Sequence, residues 1–301
     1  METKIQKLKD GRDLAYAEYG DVNGIPVFYA HGGPGSHLEG QFFHEEAAKH
    51  GFRFIATDRP GMGNSAYLEN RTLLDYPSDI GELADTLDID KFGVMGWSGG
   101  GAHTTVCGYV IPERLLFNFS FAGYTNFAEF PGAEKYLKAK MDQVSVGLSK
   151  THPKLFKMFF DLMGFSEKHI PKFYFDTLMK EVTETDREIA NEEAFHKLFM
   201  EDQAEAFKQG SRGVTTDAAV HYVDWGFRLK DIPIKLNVFH GTNDTMVPFE
   251  YGKHIAENVP NCILHTIKEE GHLFPYRHLY EIFDFARKEA GLGKLQSQSL
   301  E

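Results

Sequence analysis

Cysteine is scarce in this 301-residue chain, with only Cys107 and Cys262. One disulfide is conceivable, but a scaffold built on disulfides is excluded. Long apolar runs are missing as well. No stretch approaches the roughly 18 uninterrupted apolar residues of a membrane-crossing helix. Positive charge is in short supply: 32 Lys and Arg stand against 44 Asp and Glu, a net charge of −12. Such a chain is a poor non-specific partner for nucleic acid or an anionic membrane. The first residues, Met1 to Asp10, are polar and lack the apolar stretch of a secretion signal. The sequence therefore predicts a cytoplasmic protein. The chain does hold enough apolar material for a large core, at 42% hydrophobic and 25% charged, so wholesale disorder is excluded. Its length allows two domains, or one large domain carrying an insertion.

Short β-rich runs punctuated by turns organise the two ends of the chain. Residues 4–8 and 12–19 flank Asp10-Gly11, a hairpin signal. Strands are then expected at 25–30, 52–57, 92–95 and 115–121, separated by helices near 38–50, 72–88 and 99–110. Near Tyr124 the alternation stops for about a hundred residues. It resumes with strands at 234–239 and 262–267 and helices near 249–258 and 275–289. Alternation of this kind predicts an α/β fold: a mostly parallel eight-stranded sheet with helices on both faces and a helical cap insertion. The expected boundaries are a core of 1–123 and 231–293, a cap of 124–230, and a flexible tail of 294–301.

Gly96-Trp97-Ser98-Gly99-Gly100 lies between an expected strand and an expected helix. A sharp turn there forces its central residue into a strained backbone and needs small neighbours, because the chain folds back on itself. It lifts a Ser98 hydroxyl above the sheet edge and aims the Gly99 N–H, at a helix start, toward the same point. A second donor is expected from His31-Gly-Gly-Pro-Gly-Ser36, directly after the strand at 25–30, with Gly33 the chosen residue and His31 bracing the loop. A serine nucleophile needs a base, and the base needs an orienting carboxylate. Asp244 follows the strand at 234–239, and His272 follows the strand at 262–267 after Gly271, so both fall at the edge of the sheet where Ser98 lies. His265 and His278 fall inside a strand and a helix instead, and Glu129 is the weaker alternative for the acid.

Together with Asp58-Arg-Pro-Gly-Met-Gly-Asn-Ser65, these motifs resemble the α/β-hydrolase superfamily over nearly the whole chain. The resemblance implies a Ser98–Asp244–His272 catalytic triad and an oxyanion hole of Gly33 and Gly99. The His-Gly-Gly-Pro-Gly segment is similar to that of proline iminopeptidases. Those usually carry Gly-Gly-Ser-Trp-Gly at the elbow, whereas this chain has Gly-Trp-Ser-Gly-Gly. Related enzymes that place Asp at the elbow are disfavoured by Ser98.

The expected cap is rich in Met and Phe, suited to an adaptable apolar pocket. Trp97, Met158, Phe159 and Met163 are its expected lining. Within the cap, Glu181, Glu184, Asp186, Glu188, Glu192, Glu193, Glu201, Asp202 and Glu205 are opposed across their own span only by Arg187 and Lys197. This run reads first as a solvated helix face, with a carboxylate cluster for a substrate α-amino group as the functional alternative. Gly61-Met-Gly63-Asn-Ser-Ala66 matches a dinucleotide fingerprint only formally, because Arg59 and Pro60 delay the first glycine. No Cys or His shows zinc-ligand spacing. The sequence thus predicts a metal-free, cofactor-free serine hydrolase acting on an ester or amide of a small, largely apolar acyl substrate. It is expected to be a monomer or homodimer without nucleic-acid or membrane partners. The alternatives are a proline iminopeptidase-type aminopeptidase and, in another class, a non-catalytic ligand receptor on the same scaffold.

Overall fold

The computed structural model describes residues 1–293; the expected tail, 294–301, lies outside the described residues. Eight strands form one sheet: β1 (Lys4–Lys7), β2 (Asp13–Gly20), β3 (Ile25–Ala30), β4 (Phe52–Thr57), β5 (Phe92–Trp97), β6 (Leu115–Phe121), β7 (Leu236–Gly241) and β8 (Cys262–Ile267). Their order across the sheet is β1-β2-β4-β3-β5-β6-β7-β8. β2 runs antiparallel to β1 and β4, and every pairing from β4 to β8 is parallel.

Side chains alternate along each strand, so one strand feeds two cores. Val27 and Tyr29 of β3 join Phe52 and Phe54 of β4 on one face. Phe28 and Ala30 join Ile55 on the other. The first face is covered by α1 (His44–Lys49) and by the last helix, which breaks at His278 into two pieces. The second face is covered by α2 (Asp75–Thr86) and α3 (Gly99–Val110). Buried on both sides, the parallel strands read as near-continuous apolar runs.

Between β6 and β7 the chain makes six helices: α4 (Lys140–Thr151), α5 (Pro153–His169), α6 (Pro171–Leu178), α7 (Glu184–Ala190), α8 (Glu193–Ala206) and α9 (Arg212–His221). After β7 come α10 (Phe249–Asn258), α11 (Phe274–Arg277) and α12 (Leu279–Glu289). Phe156, Phe160 and Val214 of the inserted helices share one apolar cluster with Ala102 of α3 and Tyr251 of α10.

The helix expected over 38–50 is instead a 3₁₀ turn, His37–Phe43, running into the short α1. Gly40 lies against the Tyr19 ring and Ala56, where a Cβ would collide. That close approach keeps the first turn tight. β7 starts two residues later than expected, at Leu236, which is the residue that faces Cys262 of β8.

The sheet face under α12 is built from phenylalanine: Phe54 lies 5.9 Å from Phe283 and 5.1 Å from Phe43, ring centre to ring centre. Phe54→Ala is expected to cost about 3–5 kcal/mol of stability. Leu162→Ala, at an exposed position of α5, should stay within about 0.5 kcal/mol. Urea unfolding midpoints for the two variants check the contrast.

Candidate active site

Ser98 occupies the junction between β5 and α3 with φ 56° and ψ −122°. Non-glycine residues rarely adopt this region, at a cost of order 1–3 kcal/mol. The local sequence compels it. A Cβ on Gly96 would strike the Gly100 carbonyl, and one on Gly100 would strike the Ala30 carbonyl. Two glycines therefore let strand, turn and helix pass within backbone contact. The turn is pinned on both sides: Ser98 N–H donates to Phe121 O at 2.8 Å, and Gly101 N–H donates to Ser98 O at 3.0 Å.

Asp244 follows β7 and is fully buried. One of its oxygens accepts the Met246 and Val247 N–H groups, each at 2.9 Å. The other accepts the His272 Nδ1–H at 2.7 Å. That bond fixes the imidazole tautomer and leaves Nε2 as the free lone pair. Burial alone would lower the His272 pKa, but the charge of Asp244 and its hydrogen bond outweigh it, and the net displacement is upward. Trp97 clamps the same residue: its indole N–H donates to His272 O at 2.9 Å, and its ring lies 4.9 Å from the imidazole.

The structure brings Ser98 and His272 into the lining of one cavity, together with Gly33, Pro34, Trp97, Leu178, Phe195, Phe199 and Leu273. An adjoining cavity shares Gly33, Pro34, Leu178 and Met246, and is walled by Gly99, Tyr124, Asp142, Phe159, Met163 and His221 among others. Of the expected pocket residues, Trp97 lines the first cavity, and Phe159 and Met163 line the second. Met158 does neither. It is 51% exposed. Phe156 and Phe160 are buried on α5, and at 100° per residue Met158 points to the far side of that helix.

His31 braces its loop as expected. Its Nδ1–H donates to Gly32 O at 2.7 Å, while Nε2 accepts the Arg59 N–H at 3.2 Å. Burial, reinforced by the Arg59 charge, holds its pKa well down, so it stays neutral. Glu129 accepts the Leu229 N–H at 2.9 Å, away from His272.

The acidic run is not simply a solvated face. Asp186 and Asp202 are buried. Asp186 accepts the backbone N–H of His272 at 3.0 Å and of Leu273 at 2.7 Å. Asp202 accepts the Ser36 N–H at 2.8 Å and its hydroxyl at 2.7 Å. Among the described residues, none of the nine acids lines either cavity, so they form no α-amino cradle there. Two carboxylates that sequence reading passed over do reach the second cavity: Asp217, which is paired with Arg59 and Arg71, and Asp142. Burial pushes the Asp142 pKa up to about 7. Folding also gathers His37, Asp58 and Glu205, with candidate ligand atoms within 4.8 Å of one another. Here the His37 Nδ1–H already donates to Asp58 at 2.8 Å, and Glu205 accepts from Asn64 at 3.0 Å. These bonds join the turn after β4 to the 3₁₀ turn and to α8.

A tight strand–turn–helix at Ser98 and a hydrogen-bonded Asp–His pair after the later strands of a parallel sheet match the α/β-hydrolase architecture. The family described as alpha/beta hydrolase fold matches residues 25–116. Over 291 residues, 92% of each chain, the sequence is 24% identical to a 2-hydroxy-6-oxononadienedioate/2-hydroxy-6-oxononatrienedioate hydrolase of Pseudomonas putida. Over 108 residues, 34% of each chain, it is 32% identical to a proline iminopeptidase of Neisseria gonorrhoeae. The crystal structure of the enol-lactonase from Burkholderia xenovorans LB400 superposes with a TM-score of 0.70 at 14% identity, covering 96% of this chain and 100% of that one. The chain thus has the α/β-hydrolase fold, and relatives that it matches along most of its length are named hydrolases. Among the described residues, no helix is long and apolar enough to cross a membrane.

Asp186→Ala strands two buried backbone donors, so a loss of about 3 kcal/mol is expected. Asp186→Asn keeps one acceptor and should lose less. Thermal and urea denaturation of the two variants would expose an error if their order were reversed.

Proposed function

We propose that this protein is a serine hydrolase cleaving an ester or amide bond of a small, largely apolar acyl substrate through an acyl-enzyme intermediate. The observation that carries the reading is the 2.7 Å Asp244–His272 hydrogen bond, with the imidazole lining the same cavity as Ser98 on its left-handed turn. In this reading His272 Nε2 takes the Ser98 proton as the oxygen attacks the carbonyl carbon. The Gly33 and Gly99 N–H groups receive the oxyanion. His272 then protonates the leaving group and activates water against the acyl-enzyme, while Asp244 stabilises the imidazolium. The enol-lactonase likeness is consistent with ester chemistry, since a lactone is a cyclic ester.

The cavities also speak to substrate charge. The Pseudomonas relative is named for dienedioate and trienedioate substrates, which are dianions. Neither cavity here has a Lys or Arg in its lining, and the second presents Asp142 and the ion-paired Asp217. A substrate carboxylate would meet no cation in the lining and two carboxylates, of which Asp217 is already ion-paired. We therefore assign neutral acyl compounds, not dioates. Asp142 at the end of an apolar cavity, with the iminopeptidase match, favours one second reading: an aminopeptidase whose substrate ammonium pairs with Asp142. Rapid release of a fluorogenic prolyl amide would select that reading, and turnover of acyl esters alone would reject it.

Ser98→Ala should fold normally and lose about a thousandfold or more in kcat. Stoichiometric labelling of Ser98 in the parent protein by a fluorophosphonate is the companion test. Near-parental turnover in the variant, or no labelling, removes the mechanism and raises the receptor alternative.

The base works only when neutral, and the His272 pKa is displaced upward. kcat/KM should therefore rise with pH through a midpoint above the ordinary histidine value of about 6.5. In Asp244→Asn the raising charge is gone and burial remains, so the residual activity should show a lower midpoint. For charge selection, a neutral acyl ester should exceed its carboxylate-terminated counterpart by about tenfold or more in kcat/KM. Asp142→Asn should narrow that gap.

A further inference from the structure

Beneath the two glycines assigned above to the oxyanion hole lies a buried ionic cluster that the mechanism has not used. Arg59 follows β4, is fully buried, and makes five hydrogen bonds through four nitrogens. Its Nη1–H donates to His31 O at 2.5 Å, and its Nη2–H donates to Gly32 O at 2.8 Å. Nε–H and Nη2–H also form a fork on Asp217 at 2.8 and 2.6 Å. The fifth bond is the backbone N–H to His31 Nε2 at 3.2 Å. Asp217 belongs to α9, in the insertion, and its carboxylate also accepts from the Arg71 guanidinium. Burial would raise the Asp217 pKa, but Arg59 and Arg71 hold it well below the usual carboxylate range. The acid is therefore charged, and the fork is an ion pair.

The geometry reaches both proposed donors. An ideal Cβ placed on Gly33 would stand 3.9 Å from Arg59 Nη2, and one placed on Gly99 would stand 3.8 Å from it. The bond to Gly32 O matters most. That carbonyl and the Gly33 N–H are the two ends of one peptide unit. A cationic donor on the oxygen orients this unit and polarises it, which strengthens the N–H at its other end. The preceding peptide is held from the opposite side, where Glu39 accepts the Gly32 N–H at 2.9 Å. Pinned at Gly32 N and Gly32 O, the loop places Gly33 in the lining of both cavities.

We propose that Arg59 is the positioning residue of the oxyanion loop, aligning and polarising the Gly32–Gly33 peptide, and that Asp217 of the inserted helix α9 sets Arg59. The assignment rests on the serine-hydrolase reading above. It gives the insertion a part in transition-state stabilisation beyond walling the pocket.

The test is Asp217→Asn in the full chain, with Asp217→Glu as a second variant that keeps the charge but displaces the fork by one methylene. Active sites are first titrated with a fluorophosphonate, so that kcat is counted per competent molecule. Both variants should lose about tenfold or more in kcat per site, with KM changed less than about threefold, because the oxyanion forms only after substrate binds. Affinity for an aryl boronic acid, which forms a tetrahedral anion on Ser98, should weaken by the same factor as kcat/KM. Val259→Ala, a core variant remote from the site, provides a destabilised control whose boronate affinity should hold. If Asp217→Asn does not fold, Asp217→Glu carries the test, and if neither folds, Arg59→Lys does, with the same readouts. A titratable variant with kcat per site and boronate affinity within twofold of the parent overturns the proposal. If Ser98→Ala itself retains turnover, the underlying mechanism has failed instead, and the two failures are told apart.

Discussion

The site depends on a close crossing of backbone at Ser98. β5 ends, the chain reverses, and α3 begins within van der Waals reach of the Ala30 carbonyl at the end of β3. Only residues without a Cβ fit at 96 and 100, and Ser98 is left at φ 56°. The strained turn persists because its surroundings over-determine it. Gly99 O accepts both the His103 Nδ1–H at 2.9 Å and the His221 Nε2–H at 3.1 Å. Burial keeps both of these imidazoles neutral, with the His221 pKa lowered to about 4 against the opposing charge of Asp217. The hydroxyl is thus presented at the edge where the parallel strands end, and the loops after β7 and β8 bring Asp244 and His272 to that edge.

Much of this was legible in the sequence because its determinants are local. The G-x-S-x-G turn is a steric condition written within five residues. Asp244 and His272 could be singled out by position, each following a strand that alternates with helices. The eight strands could be read because parallel strands buried on both faces leave short, dense apolar runs between turn signals. What could not be read is what long-range contact decides. Asp186 bonds the His272 backbone across 86 positions, and Asp217 meets Arg59 across 158. No spacing rule links such pairs. Met158 shows a second limit: in Leu155-Phe-Lys-Met-Phe-Phe160 apolar residues occupy several helix faces, so composition cannot say which one turns inward.

The acidic insertion illustrates how charge content misleads when read without burial. Three successive helices each send one aspartate inward: Asp186 from α7, Asp202 from α8 and Asp217 from α9. Each carboxylate lands on a different site loop. Asp186 holds the two amides at His272 and Leu273, Asp202 holds Ser36 beyond the glycine-rich turn, and Asp217 holds Arg59. A buried carboxylate is tolerable only where donors replace its water, and here backbone amides, a hydroxyl and a guanidinium do so. Of the acids between them, Glu188, Glu192, Glu193 and Glu201 stay at the surface. An acidic run therefore contains two populations that composition cannot separate.

This arrangement bears on how substrate reaches Ser98. A lid free to swing away would have to break all three carboxylate contacts and expose Phe156, Phe160 and Val214, which share a core with α3 and α10. Breaking even one buried, charge-assisted network leaves donors and a charge without partners, at several kcal/mol each. Opening of the whole insertion is thus a costly, rarely populated event. Access is cheaper through motion of the segments between the anchors, where α6 and the start of α4 contribute Leu178 and Asp142 to the cavity walls. The proposed pocket is thus divided: Phe160, Val214 and Asp217 form a wall that is itself anchored to the core, and Leu178 and Asp142 come from the segments between the anchors.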